Sequence, residues 1–159
     1  MIDAVFLDID GVLTDGAVYV DAHGNETKKI LFDDIDAVFE LKRSGMKIGF
    51  ITGEDTEFCK YIQRRFEPDF FLTGCKDKLA AFKQLVGETG LDKSRVCYVG
   101  DSKKDIDLLR FVKYSFVPAD VELKVRESSK TILETSRGKG VIKEVARQIL
   151  NPLGLQFSS

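Results

Sequence analysis

Five short apolar runs alternate with helix-length segments along this chain, and that alternation leaves few folds open. The runs are AVFLDI (4–9), KIGFITG (47–53), DFFLTG (69–74), RVCYVGD (95–101) and YSFVPA (114–119). Each is rich in β-branched or aromatic residues and stops at Gly, Asp or Pro, the signature of a buried strand. Between them, residues 35–44 place Val38 and Leu41 on one helical face, and residues 56–66 run up to Pro68. Residues 78–90 end on a glycine suited to a helix C-terminus, followed by helical segments over 103–111 and 141–150. Strands separated by helices give βαβ units. The expected fold is therefore α/β, a doubly wound (Rossmann-like) parallel sheet covered on both faces. We expect one domain over residues 1–151 and a loose tail over 152–159.

One segment breaks the alternation. GAVYVDAHGNETKKILF (16–32) reads as two strands around a turn at Gly24-Asn25, a β-hairpin inserted at about residues 17–32. Its alternating apolar residues, Val18, Val20, Ile30 and Phe32, need cover. An isolated hairpin is marginally stable in water, so a partner subunit is the expected cover.

Composition excludes several classes of function. Of 159 residues, 43% are hydrophobic and 31% charged, with a net charge of −2, an ordinary soluble composition that gives no reason to expect nucleic acid or an anionic membrane as partner but leaves a small anionic substrate open. No run approaches the roughly 18 apolar residues of a membrane span. The N-terminus enters a strand without a basic, cleavable leader. Cys59, Cys75 and Cys97 have neither CxxC spacing nor an even count, which fits a reducing cytoplasm. His23 sits in a turn-like stretch and reads as a loop residue.

Function is written where the strands end. In doubly wound sheets, ligands bind outside the carboxyl ends of the strands. Those ends supply Asp8 and Asp10, Thr52, and Asp101 with Asp105 one helical turn on; Lys78 opens the helix after FLTG. A single aspartate there is usually a helix cap. Carboxylates, a hydroxyl and an ammonium gathered on one rim are not explained by capping. Two aspartates one residue apart also raise one another's pKa unless a cation or proton lies between them.

Taken in order, DIDGVLTD, a strand ending in ITG, a later Lys, and GDSKKD resemble the haloacid dehalogenase superfamily of phosphohydrolases over nearly the whole chain. The resemblance implies Asp8 as nucleophile and Asp10 as general acid and base. Thr52 and Lys78 would hold the phosphoryl group, with Gly53 in the same pocket. Mg²⁺ would be held by Asp8, Asp101 and the main-chain carbonyl of Asp10. Ser102 stands where many members have Asp, and Asp105 would orient Lys78. The stretches between Asp10 and Thr52 and between Thr52 and Lys78 are too short for a cap domain.

The hairpin, the missing cap, TGCKDK and RGKGVIKEVARQIL are similar to the 3-deoxy-D-manno-octulosonate 8-phosphate phosphatase group. That likeness implies a homotetramer built on the hairpins, in which a neighbouring subunit roofs each site, with a sugar acid phosphate as substrate. Glu54, where the octulosonate enzymes carry a basic residue, is more like relatives acting on nine-carbon sialic-type acid 9-phosphates. Arg64 or Arg65 would then meet a carboxylate across the subunit boundary. For Glu54 and Asp55 the alternative is a charge complementing a helix dipole. Arg137 and Lys139 are candidates for anion contact, with solvated loop charge as the alternative. Asp34 matches a family aspartate beside the site, although Ile35 follows it where Gly is usual. A second class of reading is a non-catalytic tetramerisation domain, such as some sialic-acid-activating synthetases carry. The retained Asp8, Asp10, Thr52, Lys78 and Asp101 weigh against it.

Overall fold

The computed structural model describes residues 1–151, so the expected tail over 152–159 lies outside the described residues. Six parallel strands form the sheet: β1 (Ala4–Leu7), β4 (Lys47–Ile51), β5 (Phe70–Leu72), β6 (Val96–Val99), β7 (Tyr114–Val117) and β8 (Thr131–Ile132). Their order is β5-β4-β1-β6-β7-β8. The chain moves outward from β1 through β4 to β5, then returns to β6 on the other side of β1. The order reverses beside β1, the place where such sheets bind ligands.

Side chains of β1 alternate between two cores. Val5 and Leu7 pack with Val38 and Leu41 of α1 (Phe32–Arg43), Ile62 and Phe66 of α2 (Glu57–Phe66), and Val145 of α6 (Val141–Leu150). Ala4 and Phe6 face Phe82 of α3 (Lys78–Thr89), Leu108 and Leu109 of α4 (Ile106–Phe111), and Val125 of α5 (Leu123–Ser128). The Phe6 ring stacks on Phe70 at 5.5 Å and meets Phe82 edge-on at 5.3 Å. Gly49 makes that packing possible, because a Cβ there would lie 2.4 Å from the Phe6 ring.

Several expected elements need correction. The hairpin strands β2 (Tyr19–Val20) and β3 (Glu26–Thr27) are two residues each. Ile30 instead bridges to Thr14, and Phe32 opens α1 rather than closing a strand. The tip is held by Asp21, whose carboxylate accepts from the main-chain N–H of His23 and Asn25 and from the Asn25 amide. The 103–111 helix begins as a 3₁₀ turn over Lys103–Asp105. α5 and β8 were not anticipated: LKVRES has too few apolar residues for a periodic signal, and β8 has only two residues.

Asp34 belongs to the scaffold. It is buried on α1, and its Oδ1 accepts from the main-chain N–H of Lys143 at 3.1 Å, near the start of α6. Burial pushes its carboxyl up to about 6, against the pull of the Lys143 and Ile142 amides. The folded chain therefore holds a proton that the unfolded chain releases near pH 4, and this contribution to stability is lost as pH rises through 6. Asp34→Asn keeps the acceptor and removes the titration. The melting temperature of the variant should gain on wild type between pH 4.5 and 7.5; a difference that does not change with pH would count against this account.

Candidate active site

The strand ends deliver the expected residues to one cavity of about 310 Å³, lined by Asp8, Asp10, Thr52, Lys78, Asp101 and Arg137 among others. Gly53 and Glu54 lie on its wall. Asp8 follows β1 and is buried; one oxygen accepts from the N–H of Ile9 at 2.7 Å and the other lies 3.2 Å from Lys78 Nζ. After β1 the chain closes a tight turn, with the N–H groups of Val12, Leu13 and Thr14 all donating to the Ile9 carbonyl. The buried Thr14 hydroxyl accepts from the N–H of Gly11 and Gly16, which fixes the threonine of DIDGVLTD as a structural residue.

Lys78 is the hinge of the charge arrangement. It is the first residue of α3, whose N-terminus is capped by the Asp77 side chain. Its ammonium is buried, 2.7 Å from Asp105 Oδ1 and 3.2 Å from Asp8 Oδ2. Burial alone would lower its pKa, but Asp8 and Asp105 outweigh this and hold it above the ordinary lysine value.

Asp105 is completely buried and fully engaged. Oδ1 also accepts from the Tyr98 hydroxyl at 2.5 Å, and Oδ2 accepts from the N–H groups of Asp101 and Ser102. Burial would raise its pKa, yet Lys78 and Tyr98 hold it below the usual carboxylate range. Asp8, Asp101 and Asp105 each offer an oxygen within 4.8 Å of the others. Since Asp105 has its acceptors occupied, Asp8 and Asp101 are the carboxylates left to face a cation. Burial, then Asp105, raises Asp8 well above its ordinary value despite Lys78. Burial likewise pushes Asp101 up to about 6, again with Asp105 adding to it. Two crowded hard-oxygen donors whose repulsion a divalent cation would relieve are a donor set that suits Mg²⁺.

Gly11 leaves the room this arrangement needs. Its φ is +84°, and a Cβ would fall 1.8 Å from Asp101 Oδ2. The glycine in DIDG is therefore required by Asp101, a residue 90 positions later in the chain.

Other expected residues lie elsewhere. Arg64 and Arg65 are exposed on the last turn of α2, and Lys139 lines a separate cavity with Lys143 and Arg147. Asp34 does not line the cavity. Two groups exceeded what their sequence context conveyed. Lys28, just after β3, places Nζ 2.8 Å from Asp10 Oδ1. Arg137 bonds Asp120 through its main-chain N–H, its Nε and its Nη2, leaving Nη1 3.6 Å from Asp101 Oδ2. Neither pairing has a sequence signal, because each depends on a loop returning across the rim.

Residues 22–112 match the family model of the haloacid dehalogenase-like hydrolases. The chain belongs to that family. Among curated relatives of this hydrolase is 3-deoxy-D-manno-octulosonate 8-phosphate phosphatase KdsC of Haemophilus influenzae, 28% identical over 94% of this chain and 83% of that protein. N-acylneuraminate cytidylyltransferase A of Danio rerio is also 28% identical, over 89% of this chain but only 33% of its own length. Among solved structures, the 3-deoxy-D-manno-octulosonate 8-phosphate phosphatase of Moraxella catarrhalis, in complex with magnesium, phosphate and KDO, superposes with a TM-score of 0.88. It is 26% identical, covering 99% of this chain and 94% of that one. The α/β fold and the phosphatase reading of the sequence agree with these relatives.

In this hydrolase, Gly11→Ala and Gly24→Ala offer a matched pair. Both place Cβ at a φ above +80°, but open space surrounds Gly24. Each should lose about 1–3 kcal/mol from backbone strain. Only Gly11→Ala should also lose hydrolysis, by at least about tenfold, as Asp101 is displaced. Denaturant unfolding and turnover measured on both variants check this; equal turnover would show that the Asp101 contact is unimportant.

Proposed function

We propose that this hydrolase is a Mg²⁺-dependent phosphatase for a phosphorylated 2-keto-3-deoxy sugar acid, with Asp8 as nucleophile. The observation that carries the reading is the buried Asp8–Lys78–Asp105 chain opening onto a cavity beside Asp10, Thr52 and Asp101. Asp8, Asp101 and the main-chain carbonyl of Asp10 are the proposed Mg²⁺ ligands. When bound, the ion offsets the repulsion between a carboxylate and a phosphate dianion.

The chain's own residues divide the work. An Asp8 oxygen attacks phosphorus; the new O–P bond forms as the bond to the leaving oxygen breaks, and Asp10 gives that oxygen a proton. A water then attacks the aspartyl phosphate, returns a proton to Asp10, and releases inorganic phosphate with Asp8 regenerated. Thr52 and Lys78 hold the equatorial oxygens throughout, Lys78 with its charge already in place. Asp10 suits a reversible proton carrier because it is the half-exposed carboxylate of the pair.

The likeness to KdsC favours the eight-carbon 8-phosphate. Glu54 on the cavity wall, with the likeness to a cytidylyltransferase of N-acylneuraminate, supports a nine-carbon sialic-type acid 9-phosphate as the second reading. Assembly into a homotetramer through the hairpin is part of the proposal. Val18, Tyr19 and Val20 are 47%, 52% and 58% exposed, an apolar strip that a second copy would cover. Three free cysteines fit a cytoplasmic setting, and no helix among the described residues is long and apolar enough to cross a membrane.

Phosphate release should require Mg²⁺, vanish on chelation, and fall by at least about a thousandfold in Asp8→Asn. A screen across sugar-acid, hexose and nucleotide phosphates tests the substrate. If hexose phosphates or nucleotides exceed both sugar acids tenfold, the substrate class is wrong while the phosphatase reading stands. Glu54→Ala should shift the ratio between eight- and nine-carbon substrates by about ten- to a hundredfold and spare an aryl phosphate.

The hairpin has its own test. Light scattering should give a particle near four times the 17.8 kDa chain mass. Val20→Asp should lower that mass, and a wild-type monomer at micromolar concentration would exclude the assembly.

A further inference from the structure

Lys28 belongs to none of the motifs that carry the proposed chemistry, and it lines a neighbouring cavity, yet its side chain reaches the Asp10 carboxylate on the rim of the site. It lies just past β3 at the base of the hairpin, and its side chain is only 12% exposed. Its Nζ donates to Asp10 Oδ1 at 2.8 Å and stands 5.0 Å from the centroid of the Phe58 ring on α2. Three parts of the chain, the hairpin, the turn after β1 and α2, thus meet at one nitrogen. Among the described residues, Lys28 supplies the one side-chain hydrogen bond to the Asp10 carboxylate.

We propose that Lys28 is a positioning residue for Asp10. An ammonium only donates, so the contact holds Oδ1 as an acceptor and leaves Oδ2 as the oxygen available to exchange the proton. Without it, the half-exposed carboxylate is free to rotate about its side-chain torsions and spends less time aimed at the leaving oxygen. The Phe58 ring adds a second restraint, since a cation over an aromatic face is attracted to it. The hairpin thereby reaches the reacting atoms through one side chain. This inference rests on the reading of Asp10 as general acid and base.

The test separates the two ideas by leaving group. Breaking the phosphate bond of an alkyl ester needs a proton on the departing oxygen, whereas p-nitrophenolate leaves without one. Lys28→Met keeps an apolar stem against Phe58 and removes the charge. With the best sugar-acid phosphate it should lower kcat/KM by about ten- to a hundredfold, a fraction of what general acid catalysis is worth.

With p-nitrophenyl phosphate, kcat/KM should change less than about threefold. There kcat and KM should fall together, because hydrolysis of the aspartyl phosphate still needs Asp10 as base. Lys28→Arg should recover most of the lost activity, and Asp10→Asn should show the same pattern more strongly. If Asp10→Asn shows the pattern and Lys28→Met loses both esters equally, or loses neither, Lys28 does not position Asp10. If Asp10→Asn itself shows no leaving-group dependence, the acid–base reading is wrong and the inference falls with it. An unchanged melting temperature in Lys28→Met keeps a folding defect out of the comparison.

Discussion

A buried ammonium between two buried carboxylates is the constraint around which this molecule is arranged. Lys78 bridges Asp8 and Asp105 at 3.2 Å and 2.7 Å. Removing either kind of partner would strand charge in the interior, an effect typically worth about 3–5 kcal/mol. The three residues come from the end of β1, the start of α3 and the turn after β6. The parallel sheet, with β1 and β6 adjacent, brings them together. Tyr98 closes the set from within β6, where burial and Asp105 keep its hydroxyl protonated and therefore able to donate.

That arrangement separates the carboxylates by environment. Asp105 uses its oxygens on Lys78, Tyr98 and two main-chain amides, and so acts on its neighbours rather than on anything in the cavity. Asp8 and Asp101 are left crowded and elevated in pKa. Asp10, only two residues from Asp8, is turned outward toward Lys28. Four aspartates on one rim thus sit in different environments, set by what each side chain meets rather than by residue type.

Most of the sheet and the heart of the site were legible in the sequence for a shared reason. Strands such as AVFL and VCYV are buried on both faces and carry an unbroken apolar signal. The polar residues that interrupt this signal at the strand ends are the ones that line the cavity. Legibility fails where structure depends on distant returns of the chain. DIDG gives no hint that its glycine clears space for Asp101, and ETKK gives none that Lys28 reaches Asp10. Phe32 continued the apolar alternation of the hairpin, yet it opens α1 and is 76% exposed. Lys139 and Arg137 sit two residues apart in SRGKG, but only Arg137 turns toward the site.

The loop bearing Arg137 is anchored from below. Glu144 is buried on α6, and its carboxylate accepts from the main-chain N–H groups of Glu134 and Thr135, while Asp120 grips Arg137 itself. A long cationic side chain normally gives up about 0.5–1.5 kcal/mol of rotational freedom when an anion immobilises it. Here the bonds to Asp120 already restrict that freedom. An anion that bound at this wall would meet an arginine already largely ordered, and its selection would depend on whether its shape matched a direction fixed in advance. A cation tethered this way would discriminate by geometry, as a flexible surface lysine does not.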